Sequence, residues 1–107
     1  MPLMHAELAA GRWHTFSLDE QMGNIGSEVG RAIIATRAGD HPRRDSAVAR
    51  ALELFDFTLI DPRWRFPRKK EIARAREVFC DALVGKNEYH TDLASLARYF
   101  TQFAIAA

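Results

Sequence analysis

Cysteine is almost absent from this sequence: Cys80 stands alone among 107 residues. A single thiol cannot form an internal disulfide, which excludes the disulfide-rich secreted class and favours a reducing compartment. No apolar stretch approaches the roughly 18 residues that a membrane-spanning helix needs. Residues 1–16 also lack the basic start and long apolar run of a secretory signal. We therefore expect a cytoplasmic protein with no membrane contact.

Extremes of composition are missing as well. The chain is 48% hydrophobic and 27% charged, with a formal net charge of +1, which is typical of an ordinary globular protein. Neither alternating strand patterns nor internal repeats occur. Apolar residues recur instead at helical spacing, and 107 residues suffice for one domain with a single modest core.

The most apolar segment, residues 48–60, organises the predicted fold. Apolar residues recur from Val48 to Leu59 at the spacing of one helical stripe. Leu54, Phe57 and Ile60 lie off that stripe. A helix that is apolar over more than half of its circumference is usually enclosed by neighbours. We predict that three other helices enclose this one, helped by a second copy of the protein.

Local signals place the helix ends. Ser17 and Glu20 are spaced as a capping box, and residues 38–42 separate the first helix from a second helix at about 43–60. Pro67 suits the first turn of the third helix, Gly85 is expected to cap its end, and residues 91–92 can open the fourth. Short loops between helices favour antiparallel neighbours. The prediction is an all-α, antiparallel up-down-up-down four-helix bundle over residues 17–107, preceded by an N-terminal arm of residues 1–16.

Three glycines interrupt the first predicted helix at Gly23, Gly26 and Gly30. Each costs about 1 kcal/mol relative to alanine inside a helix. All three fall on one flank of the apolar stripe, where the absence of a side chain permits close approach of another backbone. We interpret them as a helix-packing or dimer flank.

A small four-helix core does not obviously cover every apolar residue of this chain. The residues in excess are Ile34, Leu54, Phe57 and Ile105. Self-association is the simplest way to shield such a surplus from water, so we expect a homo-oligomer, most simply a two-fold symmetric dimer.

A recognisable series of residues covers nearly all of the chain after residue 16. It comprises Gln21, residues 24–28, Arg31, residues 50–54, Thr58, residues 61–63, Arg74, residues 76–78, Gly85, residues 87–89 and residues 99–100. In this series the chain resembles a group of small uncharacterised bacterial proteins that read as helical bundles. The resemblance implies a bacterial cytoplasmic protein and brings no catalytic residues with it.

Glu53 and Asp56 form an E-x-x-D pair at the apolar boundary of the second predicted helix. Two carboxylates one turn apart can hold Mg²⁺ for phosphate chemistry. All-α nucleotide pyrophosphohydrolases are similar in size and place an E-x-x-E before such a pair. No acid stands three residues after Glu20 or Glu28, so Glu28 alone remains as a third ligand. We favour the alternative, in which these acids pair with arginines across the bundle.

Other catalytic and metal-binding patterns are incomplete. No Glu-x-x-His pair of the di-metal bundle type occurs, and the four histidines share no ligand spacing. Cys80 has a cation, Arg76, four residues before it, but no histidine base accompanies it. We predict no catalytic residue, no cofactor and no dedicated metal site.

Positive charge is concentrated in residues 61–76. Seven basic residues face two acids there, which gives this window a charge of +5 and the remainder −4. Aromatic residues alternate with arginines, and such sets can stack on bases while contacting phosphates. The candidate contact for nucleic acid or an acidic protein comprises Arg63, Trp64, Arg65, Arg68, Lys69, Lys70 and Arg74. We favour another interpretation over this contact surface. In it, the segment is a solvated loop that supplies salt bridges, and Trp64 and Phe66 plug the end of the bundle.

The function expected from these observations is a non-catalytic, self-associating binding or interaction module. One alternative is weak nucleic-acid binding through residues 63–76. The other is a Mg²⁺-dependent nucleotide phosphohydrolase centred on Glu28, Glu53 and Asp56. The partner, the biological role, the self-associating surface and any continuation of the chain past Ala107 stay open at this point.

Overall fold

A computed structural model describes residues 11–107, so most of the predicted N-terminal arm, residues 1–10, lies outside the described residues. The described part is all-α. A 3-10 turn at Trp13–Thr15 precedes helices α1 (Leu18–Arg37), α2 (His41–Leu59), α3 (Arg68–Leu83) and α4 (Leu93–Ala106). The predicted all-α class and the predicted number of long helices are therefore confirmed for this part of the chain.

Capping side chains determine where α1 and α2 begin. The predicted capping box is present, since the amide of Glu20 donates to Ser17 Oγ (3.1 Å) and the Ser17 amide donates to Glu20 Oε1 (2.9 Å). α2 begins two residues earlier than predicted, at His41, because the Asp40 carboxylate caps it by accepting from the amide of Arg43 (3.1 Å).

The later helix ends follow the same logic with one difference. Asp92 caps α4 by accepting from the Ala94 amide. At the end of α3 the C-cap is Val84 rather than Gly85. Gly85 still contributes, because its amide donates to the carbonyl of Cys80 (2.9 Å).

Helix α1 lies at the centre of the packing. Its most extensive contacts are with α2 and α4, and α2 also packs on α3, whereas α3 and α4 hardly approach each other. These contacts are consistent with a four-helix bundle. They also leave two pairs of helices, α2 with α4 and α3 with α4, with little close backbone contact.

The core contains an aromatic cluster with one residue from each of α2, α3 and α4. Phe55 lies between Phe79 and Phe100. Its ring centroid is 5.9 Å from that of Phe79 and 6.1 Å from that of Phe100. All three are essentially inaccessible to water. Full burial of one such side chain contributes about 1.5–3 kcal/mol, so this cluster is a principal tie between three helices. The expectation that the apolar segment of α2 is enclosed is met at Phe55.

The apolar surplus is smaller than the sequence suggests. Leu54 and Phe57 are buried within the single chain, so they no longer support self-association. Ile34 (70% exposed) and Ile105 (80%) do remain at the surface. Ile60 is 68% exposed because α2 ends at the preceding residue, so residues 48–60 are not enclosed along their whole length.

The glycine flank of α1 is used within the chain. A Cβ at Gly26 would lie 2.8 Å from the Cβ of Phe100, and a Cβ at Gly23 would lie 3.3 Å from the Cα of Ala104. Gly30 has no such neighbour within 4 Å. Because higher numbers on α1 pair with lower numbers on α4, these two helices run antiparallel. Close helix packing therefore explains Gly23 and Gly26 but not Gly30.

Candidate functional site

A buried polar network joins the 3-10 turn to α1, α2 and the segment after α2. The fully buried amide of Gln21 donates to the carbonyl of Trp13 (2.9 Å) and to Asp61 Oδ2 (3.0 Å). The indole N–H of Trp13 donates to the hydroxyl of Thr58 (2.9 Å), which donates to the carbonyl of Leu54 (2.8 Å). A buried polar group without a partner costs about 1–3 kcal/mol, so this satisfied network positions Trp13 specifically.

Asp61 is the charged centre of this network. Arg63 donates to it through its backbone amide (3.0 Å), Nε and Nη2 (2.7 Å), and Nη2 also donates to the carbonyl of Phe16 (2.6 Å). Burial raises the pKa of Asp61, but the hydrogen bonds from Arg63 and Gln21 and the charge of Arg63 outweigh it and lower that pKa to about 2. The carboxylate therefore serves as an internal anchor.

Two members of the predicted basic contact are consequently engaged inside the chain. Arg63 is bound to Asp61, and its guanidinium lies 4.5 Å from the ring centroid of Trp64. The Trp64 indole N–H donates to Gln21 Oε1 (2.7 Å). Trp64 is partly buried against the core, whereas the expectation that Phe66 also plugs the end of the bundle is wrong, because Phe66 is 77% exposed.

The rest of the basic segment is solvent-facing. Phe66 is 77% exposed, and Lys70 Nζ lies 5.8 Å from its ring centroid. The other exposed cations of the segment are Arg65, Arg68, Lys69 and Arg74. The predicted contact residues therefore divide into two groups. Arg63 and Trp64 are held by contacts within the chain, and the other residues face the solvent.

The carboxylate of Glu28 is closed off by arginines. It is buried and pairs with Arg31 (2.6 Å) and with Arg50 (2.8 Å), and Arg50 also donates to Ser46. A buried acid held by two guanidinium groups links α1 to α2. The sequence favoured such pairing for Glu53 and Asp56, and it is found for Asp56, which pairs with Arg76 of α3.

The other two acids of the alternative metal set do not join Glu28. Asp56 is exposed and pairs with Arg76 of α3 (3.1 Å), and Glu53, half-buried on α2, is not free either. Among residues 11–107, no three His, Cys, Asp or Glu side chains come together in a way that could hold a metal ion.

The separation of α3 from α4 creates an open groove of about 350 Å³. Its apolar lining comes from both helices: Ala75, Val78, Leu96 and Tyr99. Ligand sites are typically concave and mainly apolar, with a few polar groups, and measure about 300–1,000 Å³. We define this α3–α4 groove as the candidate functional site.

Polar groups lie at the two ends of the groove. Arg74 stacks on Tyr89, with its guanidinium carbon 4.7 Å from the ring centroid, and Tyr89 Oη donates to Glu77 (2.7 Å). Tyr89 precedes α4, so the guanidinium of Arg74 points towards the α3–α4 loop. Thr91 and Ser95 line the groove as well, which gives the loop end hydrogen-bonding groups beside a positive charge.

The opposite end of the groove is defined by Tyr99 and Glu71. Burial, and secondarily the charge of Glu71, raises the pKa of Tyr99 to about 12. The phenol is therefore neutral at every physiological pH. Its hydroxyl makes no hydrogen bond to any residue that the structure describes, although its ring packs on Phe100 and Phe103.

Sequence patterns missed both the polar network and the groove. A signal for the network was present, because Gln21 lies three residues after Leu18 and four before Ile25, on the apolar stripe of α1. A polar residue on such a stripe indicates a buried group that needs partners. Nothing in helical periodicity distinguishes two helices in contact from two held apart, so the groove had no comparable signal.

A scan against family models and searches among curated proteins and solved structures give no match to this chain. The resemblance to a group of small bacterial proteins therefore stays a prediction. What is established is that residues 11–107 of this small protein are all-helical and contain four α-helices. Over the described range, no helix combines the length and apolarity that crossing a lipid bilayer requires.

Proposed function

We propose that this protein is a non-catalytic binding module whose ligand site is the α3–α4 groove. The observation that carries the proposal is the contrast between this groove and the other notable side-chain clusters. Gln21, Asp61 and Glu28 are each satisfied by neighbours in the same chain. The groove instead presents an apolar lining and a phenol without a hydrogen-bond partner among residues 11–107.

The finer fold is part of the proposal. We infer that the four helices run up-down-up-down, each antiparallel to the next. The antiparallel packing of α1 on α4 through Gly23 and Gly26 supports this, as do the short connections between successive helices. In such a bundle α3 and α4 are neighbours that are normally packed together, so their separation leaves a site in place of a helix interface.

We also propose that the protein forms a homodimer. The exposed Ile34 and Ile105 support self-association. They lie near opposite ends of the antiparallel pair α1 and α4, so they do not form one continuous apolar patch. Static light scattering at micromolar concentration should give twice the chain mass. A monomer at all concentrations tested would contradict the dimer and leave the groove proposal intact.

A neutral apolar fluorescent dye such as Nile red tests the groove itself. We expect binding to the protein and at least tenfold weaker binding to Val78→Asp, because a charge in the lining must be desolvated to admit the dye. The matched control is Val84→Asp, since Val84 is 55% exposed, directly follows α3 and does not line the groove. Its dye affinity should be unchanged.

A second variant protects this test from misfolding. Ser95 is exposed and lines the groove, so Ser95→Phe should fill it without altering the core. Circular dichroism should be unchanged while dye binding is lost. Equal dye binding by the parent protein, Val78→Asp and Ser95→Phe would refute the groove as the site.

Nucleic-acid binding is a second candidate, supported by one specific observation. Phe66 is 77% exposed beside Lys70, and an exposed aromatic ring among cations can stack on a base for about 1–3 kcal/mol. Single-stranded RNA should then bind with an affinity that falls steeply with salt and falls about tenfold or more in Phe66→Ala. No binding at low salt would end this candidate.

A further inference from the structure

We propose that the α3–α4 groove binds a small aliphatic carboxylate, with its acid group on Arg74 and its alkyl chain along the apolar lining. This inference rests on the proposed function, because it names the ligand class of the same site. It follows from the charge on Arg74 and the apolar lining that lies beside it.

The positive charge of Arg74 is available to a ligand. Arg74 forms no ion pair with any carboxylate in the described part of the chain, whereas Arg31, Arg50, Arg63 and Arg76 each have one. Stacking on the ring of Tyr89 holds the guanidinium plane and leaves its N–H groups free to donate. A planar guanidinium held in this way is suited to bidentate binding of a carboxylate.

The positive charge of the groove is localised at Arg74. Arg74 is the one cation among the residues that line the groove, and the hydroxyl of Thr91, which makes no hydrogen bond to the described residues, lines it as well. Acids lie on both sides of Arg74, since Glu71 lines the groove and Glu77 accepts from Tyr89 Oη. A negative group is therefore attracted to Arg74 itself, and an uncharged chain lies against the apolar lining.

The lining matches a linear apolar body. Arg74 lies in the middle of the α3 side of the groove, which extends from Glu71 to Val78, and Ala75, Val78 and Leu96 present aliphatic carbon beside it. Two other hollows are larger than the groove. One, of about 400 Å³ between α1 and α2, is lined in part by Arg31, Arg43 and Arg50, and one, of about 370 Å³, is lined in part by Arg31. Each of those arginines already pairs with an acid, so neither hollow offers an unpaired charge, although apolar residues such as Ile34 and Phe16 help to line them.

A titration with octanoate, followed by amide chemical shifts, tests the assignment. The shifts should move at residues 74–78 and 91–99 and not elsewhere. Octanol, which has the same chain length without the charge, should bind the same residues more weakly. Octylammonium should not bind, because its charge is repelled by Arg74.

Substitutions then identify the charge partner. Arg74→Gln should weaken octanoate about tenfold or more, the loss expected for a charge-assisted hydrogen bond, and should leave octanol unchanged. Arg37→Gln is the matched control, since Arg37 is exposed at the end of α1 and does not line the groove. It should bind octanoate as the parent protein does.

The outcomes separate this inference from the function on which it rests. Two results would overturn the carboxylate assignment alone, provided that octanol binds in the groove. One is equal affinity for octanoate and octylammonium, and the other is an octanoate affinity of Arg74→Gln that equals that of the parent protein. If the amide chemical shifts of the groove residues change with protein concentration before any ligand is added, the groove is occupied by a second copy of the protein. That result would also overturn the carboxylate assignment. No groove shift with any of the three compounds would overturn both proposals.

Discussion

The two glycines Gly26 and Gly30 provide a matched test of how α1 packs. Both lie inside α1, but an alanine methyl at Gly26 would lie 2.8 Å from the Cβ of Phe100, whereas one at Gly30 would meet nothing within 4 Å. Phe100 is buried against the aromatic cluster, so it has little room to move. The same substitution should therefore have opposite consequences at two positions one helical turn apart.

The expected magnitudes follow from two terms. Alanine favours the helix over glycine by about 0.5–1 kcal/mol, and this gain is common to both variants. Overpacking a filled core costs typically about 1–3 kcal/mol, and only Gly26→Ala incurs it. Gly30→Ala should raise the free energy of unfolding by up to about 1 kcal/mol. The free energy of unfolding of Gly26→Ala should be about 1–3 kcal/mol lower than that of Gly30→Ala.

Urea unfolding followed by circular dichroism measures this difference directly. For a domain of about 100 residues, 1 kcal/mol corresponds to roughly 4–8 °C in Tm, so thermal melts give a second reading. The stability of Gly23→Ala should lie between those of Gly26→Ala and Gly30→Ala, because its methyl group would lie 3.3 Å from the Cα of Ala104. Equal stability of Gly26→Ala and Gly30→Ala would refute the packing of α4 on this flank.

Two further predictions follow from titratable groups. The pKa of Asp61 is lowered to about 2, so the stability it contributes is present above its unfolded pKa and is lost as pH falls from about 4 to about 2. Arg63→Gln should destabilise the protein at neutral pH and less so near pH 2, as acid unfolding curves will show; an equal loss at both pH values would contradict this role. Burial raises the pKa of the Cys80 thiol although Arg76 opposes it, so iodoacetamide should alkylate Cys80 more slowly than an unfolded thiol at neutral pH. A faster reaction than in urea would show an activated cysteine instead.

Helix positions were predictable because their determinants are local. The Ser17 capping box and the cap at Asp92 act over a few residues, and each is visible in the chain itself. Enclosure of Phe55 was predictable for a related reason, since a helix that is apolar almost all round needs neighbours.

The candidate site was less predictable because its determinants are not local. Arg63 and Trp64 look like contact residues until Asp61 and Gln21, the latter more than 40 positions away, are seen to hold them. The availability of Arg74 depends in the same way on which acids its neighbours have taken. Such assignments depend on three-dimensional proximity, which the spacing of residues along one helix does not encode.

Intermolecular NOEs between octanol and the protein would test the central claim most directly. The central claim is that α3 and α4 stand apart around an apolar groove that accepts a ligand. We predict NOEs from the octanol chain to the methyl groups of Val78 and Leu96 and to the ring of Tyr99, and none to the exposed Ile34. NOEs spread over exposed apolar residues, with none to Val78 or Leu96, would contradict the account.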